Sequence, residues 1–240
     1  DRNEFGLYRI QQELLQAGNE GKAQVMAVLG DVCDTVAMRG VMTAHQPQVV
    51  FHAAAYKHVP ILEDHCREAV LNNVFGSLVL ADAARAQSCE RFILISTDKA
   101  VNPISILGAT KRVAELACES RNGLKATRYI TVRFGNVLGS DGSAIPLFQS
   151  QIKQGGPVTV THPEVTRYFM TNTEACGLIL QAAAMGTGGE IFVLDMGTPV
   201  RVAYLAEQMI RLTGAVPGRD IRIEFTGLRP GEKITEELFY

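Results

Sequence analysis

Short apolar runs alternate with stretches of helical spacing from Val25 to Phe134, and no other feature constrains the fold as tightly. Val25–Leu29, Val49–Phe51, Phe92–Ile95 and Tyr129–Phe134 read as strands. Val36–Ala44, Cys66–Ala86 and Gly108–Ser120 read as helices, and Leu7, Ile10, Leu14 and Leu15 give an earlier helix closed by Gly18. Strands without polar alternation must be buried on both faces, which calls for a parallel sheet covered by crossover helices. Right-handed crossovers make such a sheet doubly wound, so an α/β class is expected. Beyond Gly139 the pattern changes. Glycine and proline are denser, and the elements are mixed: helices over Ala144–Gln154, Asn172–Met185 and Ala203–Thr213, with strands near Val158, Ile191 and Ile221–Phe225. A sheet domain over 1–140 and a smaller substrate-side lobe over 141–240, part of it returning to the sheet, follow from that change.

Composition supports a buried core, with 47% hydrophobic and 20% charged residues. Lys and Arg number 23 against 25 Asp and Glu, a net charge of −2. Such a chain has no basic field for nucleic acid or an anionic membrane surface. No apolar run reaches the ~18 residues of a membrane span. Cys33, Cys66, Cys89, Cys118 and Cys176 are scattered without CxxC spacing, which suggests buried thiols in a reducing, cytoplasmic setting rather than disulfides or zinc. His65 and His162 lack ligand-spaced partners, so no metal is expected. The chain opens on Asp1 and stops in the apolar run Leu238-Phe239-Tyr240, and it reads as a fragment of a longer protein.

A dinucleotide-binding sheet normally opens with a strand and a glycine-rich turn that presents pyrophosphate to a helix N-terminus. No such turn occurs here. Either the chain is another doubly wound protein, or the first strand and its glycine loop lie upstream. In the second case Asp1 closes the second strand and meets the adenosine ribose. Gly30-Asp31-Val32 follows a strand, where a carboxylate and the next N–H suit an adenine edge, although Gly-Asp is also an ordinary turn. Ala53, Ala54 and Ala55 end another strand and permit close approach of a ligand or of a packed helix. Asn73 sits inside an apolar helix, where a buried amide needs partners. The densest group runs from Ser96 to Pro103 and on to Gly108-Ala109-Thr110-Lys111-Arg112. It places hydroxyl, carboxylate and ammonium groups at a strand end, the place where ligands gather in such sheets.

These strings resemble the extended short-chain dehydrogenases/reductases, and more narrowly the nucleotide-sugar 4,6-dehydratases whose type substrate is UDP-N-acetylglucosamine. The resemblance rests on Asp1–Phe5, His52–Pro60, Ser96–Arg112, Arg133–Ser140, Arg167–Thr171 and Arg229–Lys233, in the family's order over nearly the whole chain. It implies a Rossmann-like domain over 1–140 that binds NAD or NADP through Asp1, Arg2, Asp31, Val32, Ala53, Ala54, Ala55, Lys57, Asn73, Ser96 and Lys111. It implies a UDP-sugar held by Lys57, Asn136, Arg167, Arg229 and Glu232, with Thr97, Asp98, Lys99 and Lys111 catalytic. In the family's reaction, oxidation at sugar C4 acidifies the C5 proton, a base removes it, and an acid protonates the departing C6 hydroxyl. The resemblance makes Lys99 that base and Asp98 that acid, and a lysine base needs burial or a neighbouring cation. A 4-keto-6-deoxy sugar for capsule, O-antigen or other glycans results.

One position departs from the pattern. The superfamily places a tyrosine four residues before the helix lysine, and Leu107 stands there. Thr97, with Asp98 and Lys111, is therefore expected to relay the C4 proton. Two alternatives remain: a nucleotide-sugar epimerase or 4-dehydrogenase, and a non-catalytic nucleotide-sugar-binding protein. The family also implies a homo-oligomer, and membrane anchoring only outside this fragment.

Overall fold

The computed structural model describes residues 1–16, 24–123, 126–140 and 142–240. Four strands form one parallel sheet: β1 (Val49–His52), β2 (Arg91–Ile95), β3 (Arg128–Arg133) and, from the second half of the chain, β8 (Ile191–Val193). Their order is β1-β2-β3-β8, with Val50 opposite Phe92, Ile93 opposite Ile130 and Val132 opposite Phe192. Side chains alternate across the sheet as the pleat demands. Phe92, Leu94 and Tyr129 face a core made with helices α2 (Thr35–His45), α5 (Gly76–Ala86) and α6 (Ile106–Glu119). Ile93 and Val132 face the other way, onto α8 (Asn172–Met185). Helices on both faces explain the uninterrupted apolar strands.

Local chemistry sets the helix starts. Asp34 caps α2 by accepting from the Val36 and Ala37 N–H groups, and Ser105 caps α6 through Gly108 N–H. Thr171 and Glu174 form a capping box on α8. The helix expected over Cys66–Ala86 is interrupted: α4 (Cys66–Ala69) runs into a π-helical turn, Val70–Phe75, before α5. A short helix, α3 (Val59–Asp64), precedes it.

A separate apolar cluster holds the lobe. Phe148 on α7 (Ala144–Lys153) meets Val158 and Val160 of β5 (Val158–Val160) and Ala206 and Ile210 of α9 (Val202–Leu212). The strand β10 (Ile223–Phe225) pairs in parallel with β5. Short pairs complete the connections: β4 (Asn136–Val137) with β7 (Phe169–Met170), and β6 (Thr166–Arg167) with β9 (Val200–Arg201).

Two expectations need correction, those for Val25–Leu29 and for the cysteines. Val25–Leu29 forms no ladder with the sheet; its end meets Asp1 instead, through Gly30 N–H to Asp1 O at 3.0 Å. Helix α1 (Glu4–Gln16) forms as the spacing predicts but buries none of its residues, with Phe5 69% and Leu15 58% exposed. The glycine expected to close it, Gly18, lies outside the described residues. Of the five free cysteines, Cys89 and Cys118 are buried, whereas Cys66 and Cys176 are exposed.

Candidate active site

The sheet's carboxyl end and the lobe enclose a cavity of about 540 Å³, within the usual range for a small-molecule site. Thr97, Lys99 and Lys111 line it together with Asn136, Arg229 and Glu232. The β2–β3 ladder continues past the strand end, with Ser96 N–H bonded to Val132 O and Asp98 N–H to Phe134 O. That extension delivers Thr97 to the cavity, where it caps a 3₁₀ turn, Asp98–Ala100. Helix α6 packs against this turn because residue 108 is glycine: a β-carbon there would stand 2.1 Å from the Lys99 carbonyl oxygen.

Within the turn, Thr97 Oγ1 donates to Asp98 Oδ1 at 2.9 Å and Lys99 Nζ donates to the same oxygen at 3.0 Å. Lys99 also reaches Asn136 Oδ1 at 3.4 Å. Asp98 itself is 1% exposed and does not line the cavity; its Oδ2 has no partner among the described residues. The expected acid therefore stands behind Thr97 and Lys99 rather than in the open cleft. The charged partners of the Lys99 ammonium are two carboxylates, Asp98 at 3.0 Å and Glu236 at 3.5 Å.

Lys111 is 5% exposed, lines the cavity and has no hydrogen-bond or ion-pair partner among the described residues. Burial pulls its pKa down from 10.5 to about 8, opposed in part by Glu115 one turn along α6. Burial, aided by the Lys111 charge, likewise drops His52 to about 3, so His52 is neutral and shares a 2.8 Å hydrogen bond with Ser77. An unpaired buried ammonium is costly until an acceptor enters the cleft. Between about pH 8 and 10.5 the unfolded chain holds a proton on Lys111 that the folded chain releases, so this group's penalty is full below pH 8 and fades above it. Lys111→Met is therefore expected to stabilise the ligand-free protein at pH 7, by up to about 3 kcal/mol, with the gain shrinking toward pH 10.5. Thermal melts of both proteins across that pH range check it.

Other expected site residues are committed elsewhere. Ser96 lines the cavity, but its Oγ donates to Glu115 Oε1 at 2.6 Å, so its proton is committed to a buried ion-pair network. Asn73 accepts from Tyr56 N–H at 2.8 Å and from Asn72, and donates to Tyr56 O and Thr110 Oγ1. With its amide fully used, it fixes the loop after β1 instead of touching a cofactor. Arg167 donates to Thr166 O, Ile234 O and Glu232, and Glu232 also accepts from Thr161 and Arg229. Arg167 and Glu232 both line the cavity, and those bonds tie them to each other and to residues 234 and 161. Arg229, by contrast, is exposed on the cavity wall and tied only through its backbone N–H and Nε to Glu232.

Ala53, Ala55 and Lys57 line the cavity, while Ala54 does not. Asp1, Arg2, Asp31 and Val32 lie outside its lining, with Val32 packed against the core that contains Phe92. Arg2 pairs with Asp31 at 3.0 Å and its guanidinium sits 4.6 Å over the Tyr56 ring. The Cys33 N–H, followed by Arg2, holds Asp31 below the usual carboxylate range. Among the lining residues with no role expected from the sequence, Tyr56 and Glu236 bear on the site. Tyr56 packs into the apolar cluster around Leu107, which is itself 6% exposed, and Glu236 approaches Lys99 from the chain's last segment. Tyr56 carried a signal, since it sits in the string after β1; Glu236 carried none.

A parallel sheet covered on both faces, with a threonine, two lysines and an open cleft at its carboxyl end, agrees with the architecture that the resemblance to extended short-chain dehydrogenases/reductases implies. The chain belongs to the family described as "Polysaccharide biosynthesis protein", whose model matches residues 1–240. It is 52% identical over 237 residues to the capsular polysaccharide biosynthesis protein CapD of Staphylococcus aureus, covering 98% of this chain and 39% of that protein. A UDP-glucose 4-epimerase of Rickettsia canadensis is 37% identical over 197 residues, covering 81% of this chain and 56% of the relative. Among solved structures, Pen from Bacillus thuringiensis superposes with a TM-score of 0.89 at 35% identity, over 100% of this chain and 72% of that one. The chain thus spans about two fifths of CapD. Among the described residues no helix is long and apolar enough to cross a membrane.

Proposed function

We propose that this chain is the catalytic part of a nucleotide-sugar 4,6-dehydratase that takes UDP-N-acetylglucosamine to a 4-keto-6-deoxy sugar for polysaccharide synthesis. The observation that carries the reading is the Thr97–Asp98–Lys99 turn opening, with Lys111, on one cavity of nucleotide-sugar size. Residue 107 offers no phenol, so the proton-handling groups of that turn must serve.

The site fits a nicotinamide dinucleotide. Lys111 presents a buried cation lacking an acceptor, which suits ribose hydroxyls, and Ala53 and Ala55 leave room at the sheet edge. NAD or NADP, when bound, would supply a reversible acceptor that takes the C4 hydrogen as hydride and returns it to C6, leaving no net redox change. Thr97 Oγ1 receives the C4 hydroxyl proton and passes it to Asp98 Oδ1, 2.9 Å away. Lys99, as the neutral amine left once its ammonium proton has passed to solvent, takes the C5 proton from the cavity wall and later returns one to C5. The proton stored on Asp98 leaves with the C6 hydroxyl as water, delivered past Thr97. Asp98 thus acts from behind the two cleft residues. Arg229 and Lys57 meet the diphosphate, since both line the wall, Arg229 engages Glu232 through Nε and not its terminal nitrogens, and a guanidinium fork matches phosphate geometry. Asn136, held by its N–H to Tyr168 O, orients the Lys99 ammonium beside the sugar.

The Rickettsia relative favours a second reading, a 4-epimerase on the same class of substrate. Product analysis separates the two. The full-length protein incubated with UDP-N-acetylglucosamine in D₂O should release a product lighter by one water and deuterated at C5. A product that keeps its C6 hydroxyl would establish the epimerase instead.

A further inference from the structure

The turn that carries Lys99 is held by the far end of the chain. Lys233 Nζ donates to Val101 O at 3.0 Å, and Tyr240 Oη donates to Ala100 O at 3.2 Å. Asn102 Nδ2 donates to Glu237 Oε1 at 3.3 Å, and Lys99 Nζ lies 3.5 Å from Glu236 Oε1. Each residue from 99 to 102 thus meets one residue of segment 233–240. Tyr240 is anchored in turn, because Arg133 donates to its hydroxyl and the Arg112 and Arg133 guanidinium groups lie over its ring at 5.1 and 5.3 Å.

Glu236 differs from the other strap residues. It is 4% exposed, lines the cavity, and has one buried oxygen, Oε2, without a partner among the described residues. A buried carboxylate persists only beside cations, and those present are Lys99 and Arg167, the latter at 4.0 Å. Lys99 is a flexible side chain that would sample many rotamers if held by Asp98 alone. Acceptors on three separate elements (Asp98, Asn136 and Glu236) instead define one position for its nitrogen.

We infer that Glu236 is a positioning residue, through which the C-terminal segment sets where the Lys99 amine stands in the cleft. The inference deepens the dehydratase reading and rests on it for the consequence in turnover. Glu236→Gln keeps the size of the side chain and removes its charge; Glu237→Gln changes the exposed neighbour that touches Asn102 and Lys233. Both are made in the full-length protein, and two quantities are read.

The first is the rate at which an amine-acetylating ester labels each lysine without substrate, followed by peptide mass spectrometry. Glu236→Gln should speed labelling of Lys99 about fivefold, the factor that corresponds to losing a modest charged contact, and leave exposed Lys57 unchanged. The second is turnover: Glu236→Gln should lower kcat roughly tenfold with KM within about twofold, the split expected when a proton-transfer group is misplaced but binding is kept. Glu237→Gln should alter neither. Unchanged Lys99 labelling in Glu236→Gln overturns the inference whatever the reaction proves to be. Faster labelling of every lysine also overturns it, since that marks general loosening. Selective labelling of Lys99 in a protein whose parent releases no water upholds the positioning role and rejects the dehydratase reading instead.

Discussion

Replacing Lys99 by alanine is expected to lower dehydration by roughly 10²–10⁴-fold, the usual share of a positioned general base. Lys99 Nζ is the nitrogen that shares an oxygen with the Thr97 hydroxyl, through Asp98 Oδ1, and it opens on the cavity. Its loss removes the group that takes the C5 proton and leaves the C4 relay through Thr97 intact. The variant should therefore bind nucleotide-sugar normally yet fail to place deuterium at C5 in D₂O. Lys99→Arg should fail as well, because a guanidinium keeps its charge and cannot accept a proton. Asp98→Asn should stop water loss by a different route, since the amide can neither store the C4 proton nor hold Lys99 by charge. Mass detection of the dehydrated product from the full-length protein reads all three. Sustained turnover in both Lys99→Ala and Asp98→Asn would refute the assigned chemistry.

The sheet was legible because a strand buried on both faces leaves an apolar run, unbroken in Phe92–Ile95 and interrupted only by Thr131 and Arg133 in Tyr129–Phe134. Val25–Leu29 carries it too but finds no ladder, since apolarity reports an appetite for burial and says nothing about whether a neighbouring strand is available. The same limit explains α1, whose spacing is helical although its apolar stripe is left uncovered. The π-helical turn at Val70–Phe75 lies beyond pattern reading, because a widened turn does not alter hydrophobic spacing enough to show. At the site, Thr97, Lys99 and Lys111 were legible as an ordered string. The commitments of other expected residues were not. Whether Arg167 or Ser96 is free to meet a ligand depends on partners distant in sequence, Ile234 and Glu232 for one and Glu115 for the other. Glu236 sits in a charged, aperiodic tail, and only the folded chain brings it to Lys99.

Glu115→Ala is expected to be the most destabilising single change near the site. Glu115 is fully buried on α6, and its two oxygens accept from Ser96 Oγ at 2.6 Å, from Arg133 Nε and Nη2 at 2.8 and 2.7 Å, and from Arg112 at 3.0 Å. It therefore joins α6 to β2 and β3 at the level where the cavity begins. Arg133 is 3% exposed, so removing its carboxylate strands a buried guanidinium, and breaking such a pair costs about 3–5 kcal/mol. At about 2–4 °C per kcal/mol for a chain of this size, the melting temperature should fall by roughly 6–20 °C. A second change separates the cost of an orphaned charge from the worth of the pair. Glu115→Leu combined with Arg133→Met should recover much of the loss, because an apolar pair needs no desolvation repaid. A single-variant loss below about 1 kcal/mol would place Glu115 with exposed surface pairs and deny that it anchors the helix. The helix matters to chemistry through Lys111, one turn before Glu115. The carboxylate is what partly offsets burial of that ammonium, so its removal should loosen the joint and also shift the Lys111 titration further from the ordinary lysine value.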